Sequence, residues 1–323
     1  MSEVTVVIPN WNGMRFLPDC LSSLEAQTFR DFRVILIDNG STDGSCEYVR
    51  SAFPDVRIRR FGSNTGFCRA VNEGIRMSRS PYVILLNNDT VCSPEAVGAL
   101  YEGIRRHPKA FSCQALLVRA DAPERTDDAG DLYCALGWAF ARGRGLPADR
   151  YAKEEKIFSA CAAGAIYRRS ALEKTGLFDE SHFAYLEDVD IGYRARTLGF
   201  ENWLVPSAVV RHVGSGSSGS VHNAFKVENS ARNSVLLIAK NMPVWQQILN
   251  LPLLAAGFAC KIVYFARKGF LGEYMRGLGA GISRAPAAGR GGRRGKFKTY
   301  VRIQLELWVN TARRLQVSSL DQR

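Results

Sequence analysis

The chain has 323 residues, 46% of them hydrophobic and 23% charged, the make-up of a packed globule, which excludes extensive disorder. Lys and Arg number 43 against 31 Asp and Glu, a net charge of +12, and the excess is uneven. From Lys240 onward there are 15 basic and 3 acidic residues, whereas the preceding stretch holds 28 of each, so a neutral domain precedes a basic tail.

In chain order, Val4 to Pro9 reads as a buried strand and Phe16 to Gln27 as a helix with Pro18 in its first turn. Arg33–Asp38 is a second strand, Ser45–Ala52 a helix, Val56–Arg60 a third strand, Gly66–Met77 a helix and Tyr82–Leu86 a wholly apolar fourth strand. This alternation predicts a mostly parallel sheet covered on both faces, with ligands gathering past the carboxyl ends of its strands. Those ends carry Pro9-Asn10-Trp11-Asn12-Gly13, Asp38-Asn39-Gly40-Ser41-Thr42-Asp43-Gly44, Asn64-Thr65-Gly66-Phe67 and Asn87-Asn88-Asp89. Any one of them is an ordinary turn; four on one sheet edge predict a binding site.

From Arg119 to Arg150 periodicity fails, and a loop is expected, either functional or disordered. Order returns over Ile157–Tyr167, with helices over Ser170–Thr175 and from Leu186-Glu187-Asp188-Val189-Asp190 to Leu198, then short strands over Asn202–Pro206 and Ala208–His212. The glycine–serine run 214–220 is a candidate lid over a bound ligand, or a linker. Ile248–Ala266 is apolar over 19 residues but interrupted by Asn250, Pro252 and Lys261. A lysine at bilayer depth is costly, so an interfacial or re-entrant helix is expected. Tyr300–Val317 reads as an amphipathic helix with Leu305, Trp308, Ala312 and Leu315 on one side. With the Arg and Lys around them, these helices suit an anionic membrane surface, with packing on the domain or a homo-oligomer as the other reading. The eight cysteines form no C-x-x-C pair and no charged-then-apolar leader precedes the first strand, so reducing, cytoplasmic surroundings are expected. No G-x-G-x-x-G follows the first strand, which disfavours a dinucleotide fold, and no nucleic-acid module accompanies the basic tail.

The four strand-end motifs, together with Gly164-Ala165, Gly176-Leu177-Phe178-Asp179-Glu180, Glu187-Asp188-Val189-Asp190 and His212-Val213-Gly214, resemble in order and spacing the family 2 glycosyltransferases over residues 4–240. The asparagine-rich aspartate motif and the Glu-Asp-Val-Asp stretch look most like the bacterial rhamnosyltransferase branch. The resemblance implies a GT-A fold, a nucleotide-binding αβα sandwich over 1–239 (donor half 1–118, acceptor half 119–239), with 240–323 as a helical basic appendage. It implies inverting transfer of a sugar from a dTDP- or UDP-sugar, dTDP-rhamnose first, to a hydroxyl of a lipid-linked or glycan acceptor at the inner face of the plasma membrane. Asp188 would be the base, with Glu187 and Asp190 beside it. Pro9, Asn10, Asn12, Asp38, Ser41, Asn64, Gly66, Arg69 and Asn88 would hold the nucleotide. Asp89 and His212 would hold Mg²⁺ or Mn²⁺, although Asn87 stands where the family commonly has a first acidic residue. A non-catalytic nucleotide-sugar scaffold and a nucleic-acid binder gripping phosphate with the tail are the alternatives from other classes.

Overall fold

The computed structural model describes residues 2–214, 222–288 and 295–320. The candidate lid at 214–220 and the glycine- and arginine-rich part of the basic tail at 289–295 lie almost wholly outside them. The elements are β1 (Val4–Asn10), α1 (Leu17–Glu25), β2 (Phe32–Asp38), α2 (Ser45–Ala52), β3 (Arg57–Arg60), α3 (Phe67–Met77), β4 (Tyr82–Leu86), β5 (Thr90–Cys92), α4 (Ala96–Arg106) and β6 (Ala110–Arg119). There follow β7 (Thr126–Asp128), β8 (Asp131–Tyr133), β9 (Ala139–Ala141), β10 (Glu155–Ile157), β11 (Gly164–Arg168), α5 (Arg169–Thr175), α6 (Glu187–Thr197) and β12 (Glu201–His212). The chain continues through α7 (Ala224–Asn241), α8 (Val244–Arg267), α9 (Leu271–Ala288) and α10 (Phe297–Leu320).

The sheet runs β10-β12-β6-β11-β4-β1-β2-β3, with β5 on β12 and β7 on β6. β3, β2, β1 and β4 are parallel, and β11 lies antiparallel between β4 and β6. Side-chain alternation makes three layers. Val4, Val6 and Ile8 of β1 face the cluster built with α1, α2 and α4, while Val7 faces the one built with α3, α5 and α6. The two short strands expected over 202–212 are one strand, β12, whose register against β6 slips between Val205 and Val209. Pro206, which has no N–H for the ladder, sits at the slip.

The stretch 119–150 is ordered: β7 joins the main sheet on β6, β8 and β9 form a separate two-stranded sheet, and Thr126, Asp127, Asp128, Ala129, Asp131, Leu132 and Tyr133 are buried. Periodicity failed there because the strands are three residues long. The C-terminal helices pack on the domain. Leu237, Met242, Tyr300, Ile303 and Leu307 share a core with Leu132, Tyr133, Val189 and Tyr193. A boundary at 239/240 therefore falls inside α7, and Lys240 reaches Asp179 and Asp190 at 2.6 and 2.9 Å.

Candidate active site

A cavity of about 810 Å³ opens at the carboxyl ends of β1, β2 and β4. Its floor and walls take Pro9, Asn10, Trp11 and Asn39 from the first two strand ends, Asn64 and Phe67 from the start of α3, and Asn87, Asn88 and Asp89 from the end of β4. The opposite side brings Cys161–Ala163, Phe183–Tyr185, Glu187, Asp188, His212 and the start of α7 with Phe225 and Lys226.

The β1–β4 side is a lattice of amides. Asn10 Nδ2 donates to Asp38 Oδ1, Ser41 Oγ and Ser45 Oγ at 3.0–3.2 Å, and its Oδ1 accepts from Asn88 Nδ2 at 2.8 Å. Asn39 donates to Asn64 Oδ1 and Gly66 O and accepts from the backbone N–H and hydroxyl of Thr65. Gly66 has φ +91°, and a Cβ there would lie 2.7 Å from the Phe183 ring, so only glycine fits.

Of the residues expected to hold nucleotide, Pro9, Asn10, Asn64 and Asn88 line the cavity. Asp38, Asn12, Ser41, Gly66 and Arg69 do not. Asp38 is fully buried, and its carboxylate accepts from Asn10 and the Ser41 N–H with Arg60 3.4 Å away, so it braces the wall from behind. Asn12 accepts from the Thr42 N–H, and Ser41 belongs to a second, smaller hollow with Arg60. Arg69 lies over the Phe61 ring on the exposed side of α3.

Where the two sides meet, Asp89 Oδ1 and His212 Nε2 stand 3.4 Å apart, and Asp127 fixes the other His212 nitrogen at 2.8 Å. Burial opposes a charge on His212, but the hydrogen bonds to Asp127 and Asp89 outweigh it and raise the group to about 9. A carboxylate oxygen beside a histidine nitrogen oriented by a second carboxylate is a donor set that fits a divalent cation. Two other acidic groups do not. Lys240 fills the space between Asp179 and Asp190, and burial keeps the Cys161 thiol beside Asp128 and Asp131 protonated.

Asp188 and Glu187 open α6 and face the cavity; Asp188 Oδ1 accepts from the Val189 N–H at 2.7 Å. Burial, reinforced by Asp188 and Asp190, pushes Glu187 up to about 8, and burial also raises Asp188. Behind them lie Asp128, raised by burial to about 7, and Asp131, raised further by burial and by Asp188 and Asp128. Asp190 points away. It accepts from Arg194, Lys240 and Asn241 at 2.8–2.9 Å, and the two cations overcome burial to hold its carboxyl well below the ordinary range. It is the ionic joint between α6 and α7, outside the cavity.

Residues unread in the sequence complete the wall. Phe183, Tyr185 and Leu186 all have φ between 61° and 73°, a costly conformation for non-glycine residues. Asn233 of α7 holds them there by donating to the carbonyls of His182, Ala184 and Tyr185 at 2.7–2.9 Å. The only sequence cue was the aromatic Phe183-Ala184-Tyr185 run just before Glu187.

The profile of Glycosyl transferase family 2 matches residues 5–176. The N-acetylglucosaminyl-diphospho-decaprenol L-rhamnosyltransferase of Mycobacterium tuberculosis is 31% identical over 221 residues, 62% of this chain and 72% of that protein. Among solved structures, residues 1–349 of S. aureus TarS in complex with UDP-GlcNAc superpose with TM-score 0.59 at 15% identity, covering 95% of this chain and 90% of that one. GalNAc-T7 with UDP, GalNAc and Mn²⁺ gives 0.58 at 17%, covering 74% and 48%. These two are alike in fold.

Proposed function

The chain belongs to glycosyl transferase family 2, and on that premise we propose that this glycosyltransferase moves L-rhamnose from dTDP-rhamnose to a hydroxyl of a lipid-linked acceptor, with inversion, in bacterial cell-surface glycan synthesis. The observation that carries the reading is one cavity lined both by a cation-type donor set, Asp89 and His212, and by a carboxylate, Asp188, whose proton affinity burial has raised. The activity for which the mycobacterial relative is named supports the sugar and the acceptor class.

The nucleotide sits mainly against residues of 1–118, and the stretch from 119 onward closes the cavity and supplies the acceptor side together with His212 and Lys226 for the diphosphate. Asn10, Asn64 and Asn88 with Pro9 and Trp11 form the nucleotide wall, preorganised because their amides are already locked to each other. Asp188 takes the proton from the acceptor hydroxyl as its oxygen attacks the anomeric carbon and the bond from that carbon to the diphosphate breaks. Mg²⁺ or Mn²⁺ at Asp89 and His212 would supply positive charge to the departing diphosphate. Lys226 adds a cation on the same side of the cavity. Phe183, Tyr185 and Phe225 shield the donor from water. The enzyme works at the inner face of the plasma membrane, where a lipid-linked acceptor is presented. A UDP-sugar donor is the second reading, favoured by the uracil nucleotides in both solved relatives; uracil and thymine offer the same ring N–H edge.

Calorimetry with dTDP, UDP and GDP, each with and without Mn²⁺, on wild type and Asp89→Ala tests this. Tightest binding of dTDP, strengthened by Mn²⁺ only in wild type, is expected. Tightest binding of UDP selects the second reading, and no binding of either pyrimidine nucleotide overturns both.

A further inference from the structure

α8 is a 24-residue helix, about 36 Å long, that presents two opposite faces. The inward face carries buried amides among its apolar residues. Gln246 and Asn250 are fully buried: Gln246 donates to Tyr300 O and accepts from the Tyr193 hydroxyl, and Asn250 exchanges hydrogen bonds with Gln304. Further along, Gly257 lies so close to Leu136 that a Cβ would sit 2.1 Å from its carbonyl oxygen, and the Trp138 indole donates to Gly257 O. The outward face is apolar from end to end. Ile248 is 67% exposed and Leu251 61%, with Val244, Leu249 and Val263 also in solvent. Lys261, the one charge before the helix's last residue, turns toward the domain over the Trp138 ring.

α10 repeats the arrangement. Tyr300, Ile303 and Leu307 face the core, while Leu305, Trp308 and Leu315 are exposed. The Trp308 indole donates to Asn250 at 3.1 Å, so the two apolar rows adjoin. Cations edge this surface: Arg267 and Lys268 end α8, and Arg302 is exposed on α10. Among the described residues the acids from position 240 onward are Glu273 and Glu306, each already paired with an arginine.

We infer that the outer faces of α8 and α10 dock on an anionic lipid bilayer, with α8 lying in the interface rather than crossing it. Spanning would tear Gln246 and Asn250 from their partners and carry bare amides into hydrocarbon. A second copy of the chain is the poorer occupant, because pairing this face with itself brings like charges together, whereas anionic headgroups complement them. Aromatic rings continue from the helix to the cavity. Tyr264 and Phe265 contact His222, and two residues into α7 Phe225 lies 5.7 Å from Phe183 and 6.1 Å from Tyr185 on the cavity wall. A bilayer on α8 therefore delivers a lipid-linked acceptor beside Asp188; this purpose, though not the docking itself, rests on the function proposed above.

The test is sedimentation of the full chain with vesicles of phosphatidylcholine alone or with one quarter phosphatidylglycerol. Three double variants are compared: Ile248→Glu/Leu251→Glu, Arg267→Glu/Lys268→Glu, and Arg50→Glu/Arg57→Glu as a control of equal charge change on the distant α2–β3 edge. Binding is expected to need phosphatidylglycerol, to fall at least tenfold in the first variant and at least about 25-fold in the second, at roughly fivefold for each basic residue lost from such a surface with the added carboxylates deepening the loss, and to hold within about fivefold in the control. No binding by wild type, equal losses in all three variants, or undiminished binding by the first variant would each overturn the inference. A dimer that dissolves only on Ile248→Glu/Leu251→Glu would assign the face to a second copy and overturn it too. Transfer to a short-chain, water-soluble acceptor analogue, followed in parallel, fails only if the catalytic reading is wrong and leaves vesicle binding unmoved.

Discussion

The two walls of the cavity solve opposite electrostatic problems. On the β1–β4 side Asn10, Asn39, Asn64 and Asn88 satisfy one another, so the wall is rigid and nearly neutral. On the α6 side Glu187 and Asp188, backed by Asp128 and Asp131, are crowded together away from water, and burial drives their proton affinities up. A neutral lattice suits a dianionic nucleotide that brings its own charge. Crowded carboxylates suit a surface that must accept a proton during turnover. Substitutions on the two walls should therefore differ in kind: binding and stability on the first, turnover and pH response on the second.

The largest expected effect is on turnover. Asp188→Asn keeps the shape of α6 and removes the proposed base, so kcat should fall by about 10²–10⁴ while calorimetric binding of dTDP stays as in wild type. A parallel loss of dTDP binding would mean that Asp188 holds the donor instead. Next comes Asp190, the carboxylate on the same helix that faces the other way. Asp190→Asn leaves Arg194 buried without its counter-ion and Lys240 with Asp179 alone, and should cost about 3–5 kcal/mol in urea unfolding. Because the folded value lies below the unfolded 3.8, this contribution is present above about pH 4 and fades as pH falls toward the folded value. The stability gap between wild type and variant should close in acid.

That pair of aspartates shows where sequence stops being legible. Residues 188 and 190 are about 200° apart around a helix, and spacing alone does not say which one meets the cavity. Asp38 and Asn39 pose the same problem at a strand end, where neighbours point to opposite faces; the asparagine lines the wall and the aspartate braces it. The parallel strands were readable because Val4–Pro9 and Tyr82–Leu86 are apolar on both faces. α7 was not, since its inward side carries Asn229, Asn233, Ser234, Lys240 and Asn241, which serve carbonyls and carboxylates and erase the apolar period. Asp127, Asp128 and Asp131 sit on three-residue strands, too short to show a period.

On the amide wall the effect is smaller. Asn10→Ala removes the donor to Asp38, Ser41 and Ser45 and the acceptor for Asn88, leaving buried polar atoms unpaired at a cost of about 1–3 kcal/mol. Nucleotide binding should weaken with it, while kcat at saturating donor changes little. A kcat loss as large as that of Asp188→Asn would erase the distinction between the walls.

The smallest effect is the most specific to the acidic wall. Asp128, held near 7 by burial, keeps its proton in the folded protein at a pH where the unfolded chain has lost it. The folded state binds the extra proton, so stability declines as pH rises from about 4 toward 7 and is then level. Asp128→Asn is a permanent neutral copy of the protonated acid, and its carbonyl can still accept from Gln114 and the Gly130 N–H. Thermal unfolding at pH 5 and pH 8.5 should show little change at the lower pH and a Tm gain of a few degrees at the higher. A gain equal at both values would mean that the proton is not held there, and the acidic wall would then be ionised like the surface carboxylates.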